Sequence, residues 1–190
     1  DFVKMITSWF HDTKFIAEDL GVITDEVREL RDKAGFPGMK VLQFAFSPDE
    51  AKEHGMVNYF LPHMYDTDNC IVYTGTHDND TLQGWLLNCD DQQLLLVAQY
   101  IEGEKLSVEK AHSLVKSGKL RNDMIKTVMA SNAVYAIIPM QDITGIDNEG
   151  RMNMPATTGR NWTWRMNKGD LKSKAAENLS LLANLYGRNL

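Results

Sequence analysis

The chain has 190 residues, enough for one domain with a sizeable core, and an ordinary globular composition: 43% hydrophobic, 24% charged, with no repeats or low-complexity tracts. Its net charge of −6 argues against a surface that tracks nucleic-acid phosphates and leaves neutral substrates open. Cys70 and Cys89 are too few for a disulfide framework or a zinc site, which points to reduced thiols in a cytoplasmic setting; the longest apolar stretch, residues 133–138, is too short for a bilayer, so no membrane partner is expected.

An amphipathic helix is expected over residues 1–12, with Phe2, Met5, Ile6 and Trp9 on one face. No charged leader precedes an apolar core, so a signal peptide is not expected, and a start inside a helix implies a missing upstream part. Four short apolar runs then read as buried parallel strands: residues 14–17, 40–44, 70–74 and 133–138. Helical patterns separate them. Thr24 is placed to cap a helix with Asp25 and Glu26 in its first turn, Val27 and Leu30 on its inner face, and Gly35 at its end. Residues 47–50 have capping-box spacing, with Pro48 at the first helical position and Gly55 as the stop.

Two or three helices follow between residues 80 and 131, one with Leu94 and Val97 on its apolar face, a second ended by Gly118, and a third carrying Met124 and Val128. Trp85, Met124 and Met129 read as core. A last helix is expected from about Asp170 to Tyr186. Strand and helix alternate four times, which fits an α/β fold: an open doubly wound sheet, or half of an eight-stranded barrel. Glu18-Asp19, Ser47-Pro48-Asp49, His77-Asp78-Asn79-Asp80 and Gln141-Asp142 all fall just past a strand's C-terminal end, where barrel enzymes place their chemistry.

Glu18 is either a general acid at the mouth of a pocket, kept protonated by burial and a neighbouring carboxylate, or a loop carboxylate that caps the next turn. His77, Asp78, Asn79 and Asp80 suit a site that grips vicinal hydroxyls, since carboxylates accept and imidazole and amide donate; plain capping of a helix from Thr81 is the alternative. A metal site lacks a second nearby histidine. Trp162 and Trp164, in a loop rich in Gly and Asn, offer an indole face for a sugar ring, although residues two apart on an extended segment seldom both face a ligand. Neither cysteine has a basic neighbour in sequence, and no glycine-rich phosphate loop occurs, so no cofactor is expected.

Five stretches, taken in order and spacing, resemble the amylomaltase, or disproportionating-enzyme, family of 4-α-glucanotransferases. They are residues 16–24, 37–46, 73–81, 139–142, and 151–153 with 161–165, spread over nearly the whole chain. The resemblance implies a retaining enzyme on a (β/α)8 TIM barrel. This chain would be its C-terminal half, strands 5–8 with their helices, forming a single partial catalytic domain over residues 1–190. It implies Glu18 as acid/base and Asp78 as transition-state stabiliser, with His77, Asn79, Asn153 and Trp162 binding substrate. The family's nucleophile is an Asp in an Arg-x-Asp motif upstream of the acid/base. Nothing before Glu18 fits, and Arg121-Asn122-Asp123 starts a helix far downstream. The implied partners are malto-oligosaccharides or glucans from starch or glycogen, and the upstream half that supplies the nucleophile. The chain alone is therefore expected to be inactive. A plastid would replace the cytoplasm in a plant. Two rivals remain: a non-catalytic glucan-binding module, and an α-glucan hydrolase of the same clan.

Overall fold

A computed structural model describes residues 2–48, 52 and 58–188. The elements in chain order begin with α1 (Phe2–Trp9), α2 (Asp25–Ala34), β1 (Gly38–Val41) and β2 (Cys70–Tyr73). They continue with α3 (Leu82–Asn88), α4 (Asp91–Glu102), α5 (Val108–Lys116), α6 (Lys119–Ala130), β3 (Tyr135–Ile137), α7 (Met140–Thr144) and α8 (Ser173–Leu185). The strands form one parallel sheet in the order β1-β2-β3, with Gly38 opposite Cys70 and Ile71 opposite Tyr135. The α/β class with a parallel sheet thus agrees with the alternation in the sequence. No helix among the described residues is long and apolar enough to cross a membrane.

Three of the four expected strands form. The run at residues 14–17 is instead an extended coil. Its backbone makes one sheet-like bond, from Ala17 N–H to the Pro37 carbonyl, and a side chain then takes over: Asp19 Oδ1 accepts from the Met39 N–H at 2.7 Å. A carboxylate has replaced the backbone ladder along this edge of β1. The second strand is also shorter than its apolar run, because residues 42–46 wind into a 3-10 turn.

The core lies between the sheet and helices α3 to α6. Leu42, Val72, Leu82, Leu86, Leu94, Val97, Leu120, Met124 and Val128 are all essentially buried, each such side chain contributing about 1.5–3 kcal/mol. Met129 is buried as well, while Trp85 is half-buried against Phe46. Gly84 is needed here, since a Cβ would stand 2.7 Å from the Asn148 backbone nitrogen. That closeness brings α3 against the turn leading to Arg151.

Helix ends follow local chemistry with exceptions. Asp90 and Ser107 cap α4 and α5 through their side chains, and Gly35 and Gly103 end α2 and α4 in the left-handed conformation. Thr24 does not cap α2 through its side chain; its hydroxyl bonds Glu26 instead, lowering that carboxyl's pKa. Gly118 does not end α5, which stops at Lys116; it is the left-handed residue that starts α6. The expected helix at residues 47–55 falls largely on residues 49–51 and 53–57, outside the described ones.

The apolar faces of the first two helices are uncovered. Phe2, Met5 and Trp9 on α1 are 51–78% exposed, and Val27 and Leu30, expected to face inward from α2, are 45% and 56% exposed. Tyr135 and Ile137 on β3 are likewise exposed.

Candidate active site

The loop from Gly75 to Thr81 leaves the C-terminal end of β2 and enters α3. Asn79 braces it from within: Oδ1 accepts from the Thr76 N–H at 2.8 Å and from the Thr76 hydroxyl at 2.9 Å. Thr81 caps α3 by accepting from the Gly84 N–H. The cap therefore lies outside residues 77–80, which leaves His77 and Asp78 free for another task.

A second loop, residues 151–165, folds over the first. Asn153 Nδ2 donates to Asp78 Oδ1 at 2.6 Å, across 75 positions of sequence. The Asn153 N–H donates to the His77 carbonyl at 3.0 Å, and Arg151 Nη2 to the Asp78 carbonyl at 2.7 Å. His77 Nε2 lies 3.4 Å from the same Asp78 Oδ1. Both side-chain contacts fall on Oδ1, so Oδ2 has no protein partner among the described residues.

Trp162 stacks on His77 with ring centroids 5.0 Å apart and planes 36° apart, and its indole remains 54% exposed. Its φ is +64°, the left-handed region that bulky side chains avoid; its N–H bond to the Met152 carbonyl at 2.7 Å helps to hold it there. Trp164 is half-buried instead. Beside the stacked pair lies a cleft of about 220 Å³ whose walls include His77, Asp80, Gln141, Asp142, Arg151 and Trp162.

Two carboxylates line that cleft from below. Asp142 is 1% exposed and its pKa is pushed up to about 6 by burial, against the opposing bonds from the Leu82 N–H and the Thr74 hydroxyl. Burial also raises the Asp80 pKa. The strand-end position of Asp142 was visible in the sequence, but its partners were not.

Glu18 is placed differently. It sits on the extended coil beyond Ala17, is exposed, and does not line this cleft. The burial expected of it is not provided by the described residues. Its neighbour Asp19 is the structural carboxylate, bonded to the Met39 N–H and ion-paired with Arg31 Nη1. Gly38 permits this approach, as a Cβ there would collide with Asp19.

The two cysteines are free and unactivated: burial raises the Cys70 pKa and pushes that of Cys89 up to about 12. No group of three metal-ligating side chains occurs among the described residues.

The arrangement joins a carboxylate, an amide and an imidazole with an exposed indole, at the C-terminal end of a parallel strand. The profile of the 4-alpha-glucanotransferase family matches residues 1–172. A 4-alpha-glucanotransferase of Synechocystis sp. is 41% identical over 92% of this chain and 31% of its own length. The chloroplastic/amyloplastic 4-alpha-glucanotransferase of Arabidopsis thaliana is 42% identical over 92% of this chain and 28% of its own. Among solved structures, an amylomaltase from Streptococcus agalactiae in complex with acarbose superposes with a TM-score of 0.81 at 31% identity, covering 99% of this chain and 34% of that one. The chain spans about a third of the length of these relatives. It belongs to the 4-alpha-glucanotransferase family.

Proposed function

We propose that this chain provides the acid/base and stabilising carboxylates of a retaining 4-α-glucanotransferase acting on malto-oligosaccharides. The observation that carries the proposal is the Asp78 cluster: a carboxylate oriented by Asn153 and His77, with one oxygen unpartnered among the described residues, beside the exposed Trp162 ring. Asp78 accepts from sugar hydroxyls as the ring flattens and gains positive charge, while Trp162 and His77 present flat faces to the ring's C–H surface. Asn153 positions Asp78, and Asn79 holds the loop.

Glu18 donates its proton to the glycosidic oxygen in the first step and deprotonates the acceptor's 4-hydroxyl in the second. The intermediate forms on an aspartate from outside these 190 residues, placed roughly 5 Å from Glu18 as retention requires. The four βα segments are then strands 5–8 of a (β/α)8 barrel, the coil at 14–17 standing at the fifth position, and residues 1–190 form part of one catalytic domain. The uncovered faces of α1 and α2 and the open edge of β3 support this reading, because each is a surface that the upstream half would bury. That contact would also supply the burial Glu18 needs to remain an acid.

Maltotriose tests the proposal. The chain alone should leave it unchanged, and the chain joined to an upstream half bearing an Arg-x-Asp strand end should make both shorter and longer glucans. Glu18→Gln and Asp78→Asn in the joined protein should each remove that activity. Disproportionation by the chain alone would refute the external nucleophile, and release of glucose without longer products would make the protein a hydrolase.

A further inference from the structure

We propose that Asp142 is a positioning residue that clamps the His77–Asp78 loop at both ends. The inference rests on the role of Asp78 given above. Asp142 lies in the short helix α7 just past β3 and is almost fully buried. Its Oδ2 accepts from the Thr74 hydroxyl at 2.5 Å, and its Oδ1 from the Leu82 N–H at 2.7 Å. Thr74 is the last residue before the loop, and Leu82 is the first residue of α3 after it. One carboxylate therefore fixes the start and the finish of residues 75–81.

The buried Leu82 N–H is a first-turn donor without an intrahelical partner, so losing Oδ1 would strand it. Inside the clamp the loop closes on itself through Asn79 and Thr76. The charged groups facing Asp142 are Arg121 and Asp80.

Shape and charge can be separated at this position. The Leu82 N–H only donates, whereas the Thr74 hydroxyl can donate or accept. Asparagine at 142 reproduces both bonds, with its Oδ1 toward Leu82 and its Nδ2 donating to Thr74. Alanine reproduces neither.

Amide hydrogen exchange on the ¹⁵N-labelled chain provides the test. Asp142→Ala should speed exchange at Thr76, Asn79 and Leu82 by about tenfold or more, while Val97 and Val128 in the core keep their protection. Asp142→Asn should restore the loop, and Thr74→Val, which removes one bond only, should give an intermediate rate. If Asp142→Ala fails to fold, Thr74→Val and Asp142→Asn decide alone. Unchanged loop exchange in Thr74→Val, or an asparagine variant as loose as alanine, would overturn the clamp. Maltotriose added to the same samples separates this claim from the reading of Asp78. A loop that loosens as expected, in a parent chain whose His77–Asp80 signals ignore maltotriose, upholds the clamp and counts against that reading. Maltotriose shifts that survive intact in the loosened variant count against the positioning role.

Discussion

Asp142→Asn should raise the thermal stability of the chain at pH 7. The Asp142 carboxyl has a folded pKa of about 6 against an ordinary 3.8, chiefly because burial penalises its charged form. A carboxyl with a raised folded pKa binds more protons in the folded chain than in the unfolded one between those two values. Its favourable contribution is therefore complete below pH 4 and is lost as the pH rises through 6. A displacement of roughly two pH units corresponds to about 3 kcal/mol of destabilisation at neutral pH. Asparagine removes that cost and keeps both hydrogen bonds. Melting curves of the parent and variant at pH 4, 5, 6 and 7 check the result: the two should be close at pH 4, and the variant should lead by a growing margin toward pH 7. Asp80, whose charge helps to raise the Asp142 pKa, stays in both proteins, so the difference includes relief of the repulsion between the two carboxylates. Equal melting at pH 7 would mean that solvent or Arg121 relieves the buried charge.

Arg188→Ala should cost about 2–3 kcal/mol and loosen the docking of α8. The guanidinium donates through Nε to the Met129 carbonyl at 2.7 Å, through Nη1 to Ala133 at 3.0 Å, and through Nη2 to Ser131 at 2.7 Å. These carbonyls belong to the last turn of α6 and to the turn that joins it to β3. Meanwhile the Arg188 N–H donates to Ala183 within α8 at 2.8 Å. One planar fork thus ties the last helix to the entrance of the last strand. Leu179, Leu182 and Tyr186 add only partly buried contacts, which makes the fork the more specific attachment. Lysine keeps the charge but offers a single ammonium, so Arg188→Lys should recover less than half of the loss. Urea unfolding measures the energy, and limited proteolysis around residues 167–173 reports whether α8 detaches. An alanine variant with parental resistance to both would show that the apolar contacts suffice.

The elements easiest to read from the sequence were those set by local chemistry. The Cys-Ile-Val-Tyr run is buried on both faces and can be little but a central strand. Gly35 and Gly103 stop their helices because they alone adopt the left-handed turn without strain. The residues at 14–17 have the same apolar character as a strand, yet strand formation needs a partner backbone, and beyond Pro37 the Asp19 side chain occupies that place. Nor does periodicity say which apolar face is covered: Val27 and Leu30 keep helical spacing on α2 and remain exposed.

The candidate site divides along the same line. His77 and Asp78 stood out as consecutive hydrogen-bonding residues past a strand. Their pairing with Asn153 and Trp162, more than 70 positions away, depends on how two loops fold over one another. Asp142 was visible only as one more polar residue at a strand end, because the hydroxyl and the amide it joins lie 68 and 60 positions from it. Arg188 gave no signal, since its partners are carbonyls, which every residue has.

The backbone of Trp162 has a consequence for directed evolution. A bulky residue held at φ +64° sacrifices about 1–2 kcal/mol that asparagine or glycine would not. Libraries sorted for heat tolerance alone should therefore drift away from tryptophan here, and hardened clones would emerge with the ring over His77 already gone. Sorting such libraries on bound oligosaccharide as well would keep it.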